Sequence, residues 1–88
     1  LAVRVLSAAI VRHAWTFAGS GHVTFAARPE PHLVIAANPL ATPGCPWHVA
    51  VLETLYRALV SPRVAIAHQA CCGRGDDCCR FAIVVRGH

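Results

Sequence analysis

The sequence predicts an α+β domain in the order helix, strand, strand, helix, strand, strand. Two segments repeat apolar residues at helical spacing, Leu6, Ile10, Ala14 and Phe17 in one and His48, Leu52, Leu55 and Leu59 in the other. After each helix come two short runs rich in β-branched and aromatic residues. Prolines and glycines separate these runs, so the strands read as two antiparallel hairpins packed with two helices.

The first helix is expected over residues 1–17, with Val3 on the same side as Leu6 and Ile10. Ala18-Gly19-Ser20-Gly21 ends it, glycine being suited to a left-handed cap. Strands follow over 22–27 and 32–37, around the turn Arg28-Pro29-Glu30-Pro31. Residues 38–44 form a loop rich in proline and glycine. The second helix opens after Cys45, because Pro46 suits a first helical turn, and Ser61-Pro62 closes it. A weakly alternating strand over 63–70, a polar loop over 71–79 and a strand over 80–86 complete the chain. Phe81, Ile83 and Val85 are expected on one face of that last strand.

At 88 residues the chain makes at most one domain. A domain this small buries only about 60% of its unfolded surface, so a metal or disulfide staple is an expected supplement to the core. With 56% hydrophobic and 14% charged residues the chain is too apolar for a disordered segment. The apolar excess implies a face buried against a second copy or against a missing N-terminal half. Leu1 in place of methionine, and a first segment that begins without a cap, lead to the expectation of a C-terminal piece of a longer polypeptide. The arginines that give the net charge of +4 are scattered, which argues against a nucleic-acid partner, where a clustered patch is needed. Arg4, Arg12 and His13 interrupt the apolar start, so no membrane span is expected, and no signal-peptide pattern is visible. The expected location is cytoplasmic.

Five cysteines concentrate the chemistry: Cys45, Cys71, Cys72, Cys78 and Cys79. An odd number without a secretory signal argues for metal or thiol chemistry over a disulfide framework. Zinc takes four thiolate, imidazole or carboxylate ligands at tetrahedral corners. A hairpin loop can supply two thiolates, one from each end, and Cys45 at the helix start a third. His68, three residues before Cys71, is the neighbouring candidate for the fourth. Spacing alone does not choose within Cys71/Cys72 or within Cys78/Cys79. Nor does it exclude buried free cysteines, or a disulfide between Cys72 and Cys78.

The stretch from Cys45 to Phe81 resembles the vinyl-4-reductase domain family. Its signature is a cysteine at a helix start and, 23 positions on, E-x-x-C-x-x-x-G-x-x-x-C-x-F; here that spacing falls on His68, Cys71, Gly75, Cys79 and Phe81. The first acidic position departs, carrying His68. The resemblance implies a zinc staple of the C-terminal hairpin by Cys45, His68, Cys71 and Cys79. Four protein ligands leave no open position, so the zinc would be structural. With three thiolates and a neutral imidazole the site would carry about −1, by formal counting of deprotonated ligands.

Ala14-Trp15-Thr16-Phe17-Ala18-Gly19-Ser20-Gly21, Ala37-Asn38-Pro39, Cys45-Pro46-Trp47-His48 and the run over 52–62 are similar to the bacteriochlorophyll 4-vinyl reductase branch of that family. This likeness implies a domain of bacteriochlorophyll biosynthesis that holds a magnesium tetrapyrrole for vinyl reduction, as substrate binder or carrier. Gly19-x-Gly21 is too short for a dinucleotide fingerprint and follows a helix, so no redox-cofactor motif accompanies it and catalytic residues are not assigned. Trp15, Phe17, Trp47 and His48 are the candidates for contact with a flat macrocycle, His48 as an axial magnesium ligand. The alternative within the family is a sensory domain that binds small aromatic effectors in a transcription regulator. A regulator would continue into a linker and an ATPase domain, and the end at His88 favours the first reading.

Overall fold

The computed structural model describes residues 2–19, 21–28, 30–37, 45–71, 75–76 and 78–86, the side chains of 17 and 18 excepted. The loop expected over 38–44 and the residues Cys72 and Arg74 lie outside them. The fold is α+β, in the order α1 (Val3–Arg12), α2 (Ala14–Ala18), β1 (His22–Ala26), β2 (His32–Ala36), α3 (Pro46–Leu59), β3 (Val64–Ala70) and β4 (Cys78–Val85).

Both expected hairpins form, and β2 pairs antiparallel with β4, which joins them into one four-stranded sheet of order β1-β2-β4-β3. Register carries the core across the strands. Val23 lies opposite Ile35, and Ile35 opposite Cys79; Phe25, Leu33, Phe81 and His68 make the next row. Val64, Ile66 and Ile83 extend the same inner face, and all three are buried. The helices cover it, α1 and α2 over β1 and α3 over β3.

The first helix departs from expectation. Over 1–17 the spacing predicts one helix, but His13 adopts φ −108° and ψ 36° and divides it in two. Its N–H donates to the carbonyls of both Ala9 and Ile10, a tightened end to α1, and the five-residue α2 then lies along β1. No glycine or proline marks the break in the sequence. Gly19 ends α2 with φ 53°, as a glycine cap can. Leu6 and Ile10 are buried as expected, with Val3 and Ala14 packed beside them.

α3 runs over the expected residues but is rotated relative to the expected stripe. His48, Leu52 and Tyr56 are buried, whereas Leu55 is half-buried and Leu59 exposed. The i, i+4, i+8 series faces the sheet because Tyr56 reaches across the core to α1, its hydroxyl 2.5 Å from the buried Ser7 hydroxyl. Burial raises the Tyr56 hydroxyl above its ordinary pKa, and the Ser7 bond partly offsets this. β4 begins two residues earlier than expected, at Cys78, and its far end, Val85, is exposed.

α3 also protects the outer edge of β3. Glu53 accepts from the Ile66 N–H at 3.3 Å, and Arg57 Nε donates to the Val64 carbonyl at 2.8 Å. The two side chains pair with each other at 3.5 Å. Edge groups so engaged cannot template another strand.

Candidate metal centre

Three thiols meet under α3. Cys45, Cys71 and Cys79 are all buried, and their sulfurs lie within 4.8 Å of one another. Cys45 Sγ is 3.0 Å from Cys71 Sγ and 3.7 Å from Cys79 Sγ. All three are free thiols. A tetrahedral zinc with Zn–S bonds of about 2.3 Å holds its sulfurs about 3.8 Å apart, so this triangle has the size of one face of such a site.

Each thiol arrives by a different device. Cys79 is on the inner parity of β4, opposite Ile35 and two residues from Phe81, while Cys78 stands opposite Ala36 on the other face. That alternation selects Cys79 within its pair. Cys71 needs more. Val64, Ile66 and His68 share the inner parity of β3, and strict alternation would continue inward at even-numbered positions. The register shifts between His68, opposite Phe81, and Ala70, opposite Arg80. Gln69 is the extra residue of a β-bulge, which moves Ala70 to the outer face and turns Cys71 inward. The Gln69 side chain is anchored outside: it accepts from Arg80 Nε at 2.8 Å and donates to Glu30 Oε1 at 3.0 Å.

Asp76 is tied to Cys71 in both directions. The Cys71 N–H donates to Asp76 Oδ2 at 2.8 Å, and the Asp76 N–H donates to the Cys71 carbonyl at 3.1 Å. Gly75 just before has φ 93°, a conformation that glycine adopts freely. Cys45 is the cap residue of α3 and sits at φ 42°, ψ 53°, left-handed backbone that is uncommon for a residue with a Cβ. Such strain concentrates at functional sites, and here it accompanies the thiol that touches both others.

The two histidines nearest in sequence flank the cluster through Phe81. The His68 ring stacks on Phe81 at 4.9 Å with 10° between planes; the His48 ring stacks on it at 5.9 Å and 26°. His68 is outside the group of donor atoms within 4.8 Å. The structure therefore brings together three of the four residues expected to bind zinc and leaves the fourth one row away on the same face of the sheet.

Of the expected macrocycle contacts, His48 is buried, with its ring edge-to-face with Trp47 at 4.8 Å. Trp15 is 77% exposed on α2 and Trp47 49% exposed on the first turn of α3. Phe17 belongs to α2, and its side chain is outside the described residues. Gln69 and Asp76 were not singled out from the sequence. A bulge has no residue signature, whereas an acidic residue directly after a loop glycine is a turn signal that could have marked Asp76.

Burial first, and then the hydrogen bonds from Cys71 and Cys79, push the Cys45 thiol from 9.0 up to about 12. Without a cation the Cys45 thiol therefore keeps its proton. A divalent soft metal reverses this, since it binds and stabilises the thiolates. Three buried sulfurs at this spacing fit zinc and do not suit a hard cation such as magnesium or calcium.

No family model and no solved structure matches the chain. It is 43% identical over 93 residues to the bacteriochlorophyll synthase 23 kDa chain of Cereibacter sphaeroides, an alignment that takes in 99% of this chain and 45% of that protein. To the protein of the same name from Rhodobacter capsulatus it is 37% identical over 92 residues, with 99% and 43% covered. The chain thus spans less than half the length of these relatives. Their names bear out the resemblance to bacteriochlorophyll proteins.

The bulge makes a specific expectation. Deleting Gln69 should remove the bulge yet leave His68, Ala70 and Cys71 alternating in, out, in, so zinc is retained as in Gln69→Ala. Deleting Gln69 and Ala70 together places Cys71 directly after His68, facing outward, and should abolish zinc retention. Cys71→Ser and Cys79→Ser should lose metal, and Cys72→Ser and Cys78→Ser should keep it; elemental analysis of the purified variants reads all of these. A pH series checks the thiols themselves. In the metal-free protein the unfolded thiol ionises above 9.0 while folded Cys45 holds its proton to about 12. The unfolded state then binds fewer protons, so stability should fall as pH rises through that window, measured by denaturant titration.

Proposed function

We propose that this chain is a zinc-stapled tetrapyrrole-binding domain of bacteriochlorophyll biosynthesis, which holds a vinyl-bearing magnesium tetrapyrrole as substrate binder or carrier for vinyl reduction. The observation that carries the reading is the likeness, over 99% of this chain, to proteins named as bacteriochlorophyll synthase chains. The vinyl-4-reductase resemblance at Cys45, Cys71, Gly75, Cys79 and Phe81 supports the same reading, since its cysteines are the three that converge.

The zinc would be held by Cys45, Cys71 and Cys79, with His68 as the fourth ligand. It supplies cross-linking rather than catalysis, tying the start of α3 to both strands of the C-terminal hairpin. Cys45 is 26 and 34 residues from its partners, so one ion closes two long loops of an 88-residue chain. Among the described residues no helix is long and apolar enough to cross a membrane. The reading places the domain in the cytoplasm, where thiols stay reduced and available to metal.

Two measurements on one sample test this. Removing zinc with a chelator should lower the melting temperature sharply and unravel the β3–β4 hairpin, because metal-binding energy of about 10 kcal/mol or more is folding energy in small zinc domains. An unchanged melting point contradicts the staple. Titration with magnesium divinyl chlorophyllide should give a saturable absorbance shift. A zinc-loaded protein that shifts no pigment but binds a phenol would move the assignment to the effector-sensing class.

A further inference from the structure

The flank of α3 beside its core-packed face has an unusual composition. Surface helices keep charged residues outward, yet Ala50, Val51, Thr54 and Leu55 line a cavity of about 430 Å³ without one charge among them. Leu55 also lines a second cavity, of about 290 Å³, whose floor is Leu6 and Ile10 of α1. The shared leucine makes the two a single apolar trough running from α3 to the α1–α2 break. Both parts are shallow and open, and their size approaches or matches that of small-molecule sites, about 300–1,000 Å³. Trp47 precedes Ala50 by three residues and Val51 by four, so helical spacing continues the stripe to a half-exposed indole.

The polar groups at the other end say what would lie there. His13, at the break between α1 and α2, lines the trough and is exposed. It is the one ring-nitrogen donor among the described lining residues. Arg12, its exposed chain neighbour at the end of α1, pairs with no acidic side chain among the described residues. The trough thus offers an apolar floor and one imidazole, with an exposed indole one helical turn away on α3 and a guanidinium next to the imidazole in the chain. A metallo-tetrapyrrole presents the complement: a flat apolar ring system, a central metal with an axial position that a neutral imidazole can take, and a carboxylate at its edge.

We infer that this trough is the tetrapyrrole seat, with His13 as axial donor to the central metal and Arg12 on the carboxylate. The inference rests on the tetrapyrrole reading above and moves the axial role from His48, whose ring is buried against Trp47 and Phe81, to His13. It also separates the pigment from the sulfur cluster, since none of the three cysteines lines either cavity.

The test titrates the purified protein with magnesium protoporphyrin IX, its metal-free form and its dimethyl ester, followed by Soret absorbance. His13, Thr54 and Arg12 are exposed, and unchanged zinc content and far-UV spectra verify that each variant folds. His13→Phe should lose the axial-ligation shift and bind the magnesium form about tenfold more weakly, with the metal-free form unaffected, about the loss of one good contact. Thr54→Arg should weaken all three ligands. Arg12→Glu should weaken the free acid and spare the ester. Wild-type affinity and spectra in all three variants would overturn the trough while leaving the tetrapyrrole reading intact. Failure of the wild-type protein to bind any of the ligands would overturn both. Dimerisation abolished by Thr54→Arg, with pigment binding retained, would assign the trough to a second copy and overturn the seat.

Discussion

Along a β-strand every second side chain turns inward, so a thiol at the end of a strand reaches the core only if its parity is right. On β3 the parity set by Val64, Ile66 and His68 is wrong for Cys71 until one residue is looped out. The bulge at Gln69 corrects it, and the sulfur cluster depends on that correction. Its anchors are all local: Arg80 and Glu30 hold the Gln69 side chain outside, and Asp76 clasps the Cys71 backbone from both directions. A bulge next to a functional group is a common way of re-aiming a side chain. Here it brings Cys71 to the other two thiols.

The remaining strain and burial follow from the same meeting point. Cys45 takes a left-handed backbone where α3 starts, and Cys79 sits in the centre of the sheet between β2 and β3. The cluster therefore fastens three separate elements, which a small core of this kind otherwise holds through side-chain packing and the Ser7–Tyr56 bond. Phe81 shields this region, with the rings of His48 and His68 packed on it. The cost of gathering three buried thiols is visible in Cys45, whose ionisation is suppressed unless a cation is present. A soft divalent ion turns that cost into cross-linking energy.

The linear chain disclosed the elements and the three cysteines that converge. Period and proline placement located α3, both hairpins and the helix start at Cys45, because those are local properties of backbone and side chain. The pairing of β2 with β4, which fuses the hairpins, is a long-range contact with no local mark. The break at His13 has no glycine or proline to announce it, and it converts an expected straight helix into the rim of a trough. The inward stripe of α3 was misjudged by one column, Leu55 and Leu59 standing in for Tyr56, because period alone fixes a helix face only to within one residue. Cys71 over Cys72 followed from the family spacing, and the physical reason, a bulge seen only once β3 and β4 are in register, lay beyond any single strand. His68 shares the inner face but not the sulfur triangle.

Zinc K-edge X-ray absorption on the protein as purified addresses the centre of this account. One zinc per chain is expected, with three sulfurs at about 2.3 Å and one nitrogen at about 2.0 Å. A protein that purifies without zinc, or a shell of four sulfurs or mostly oxygens, would contradict it.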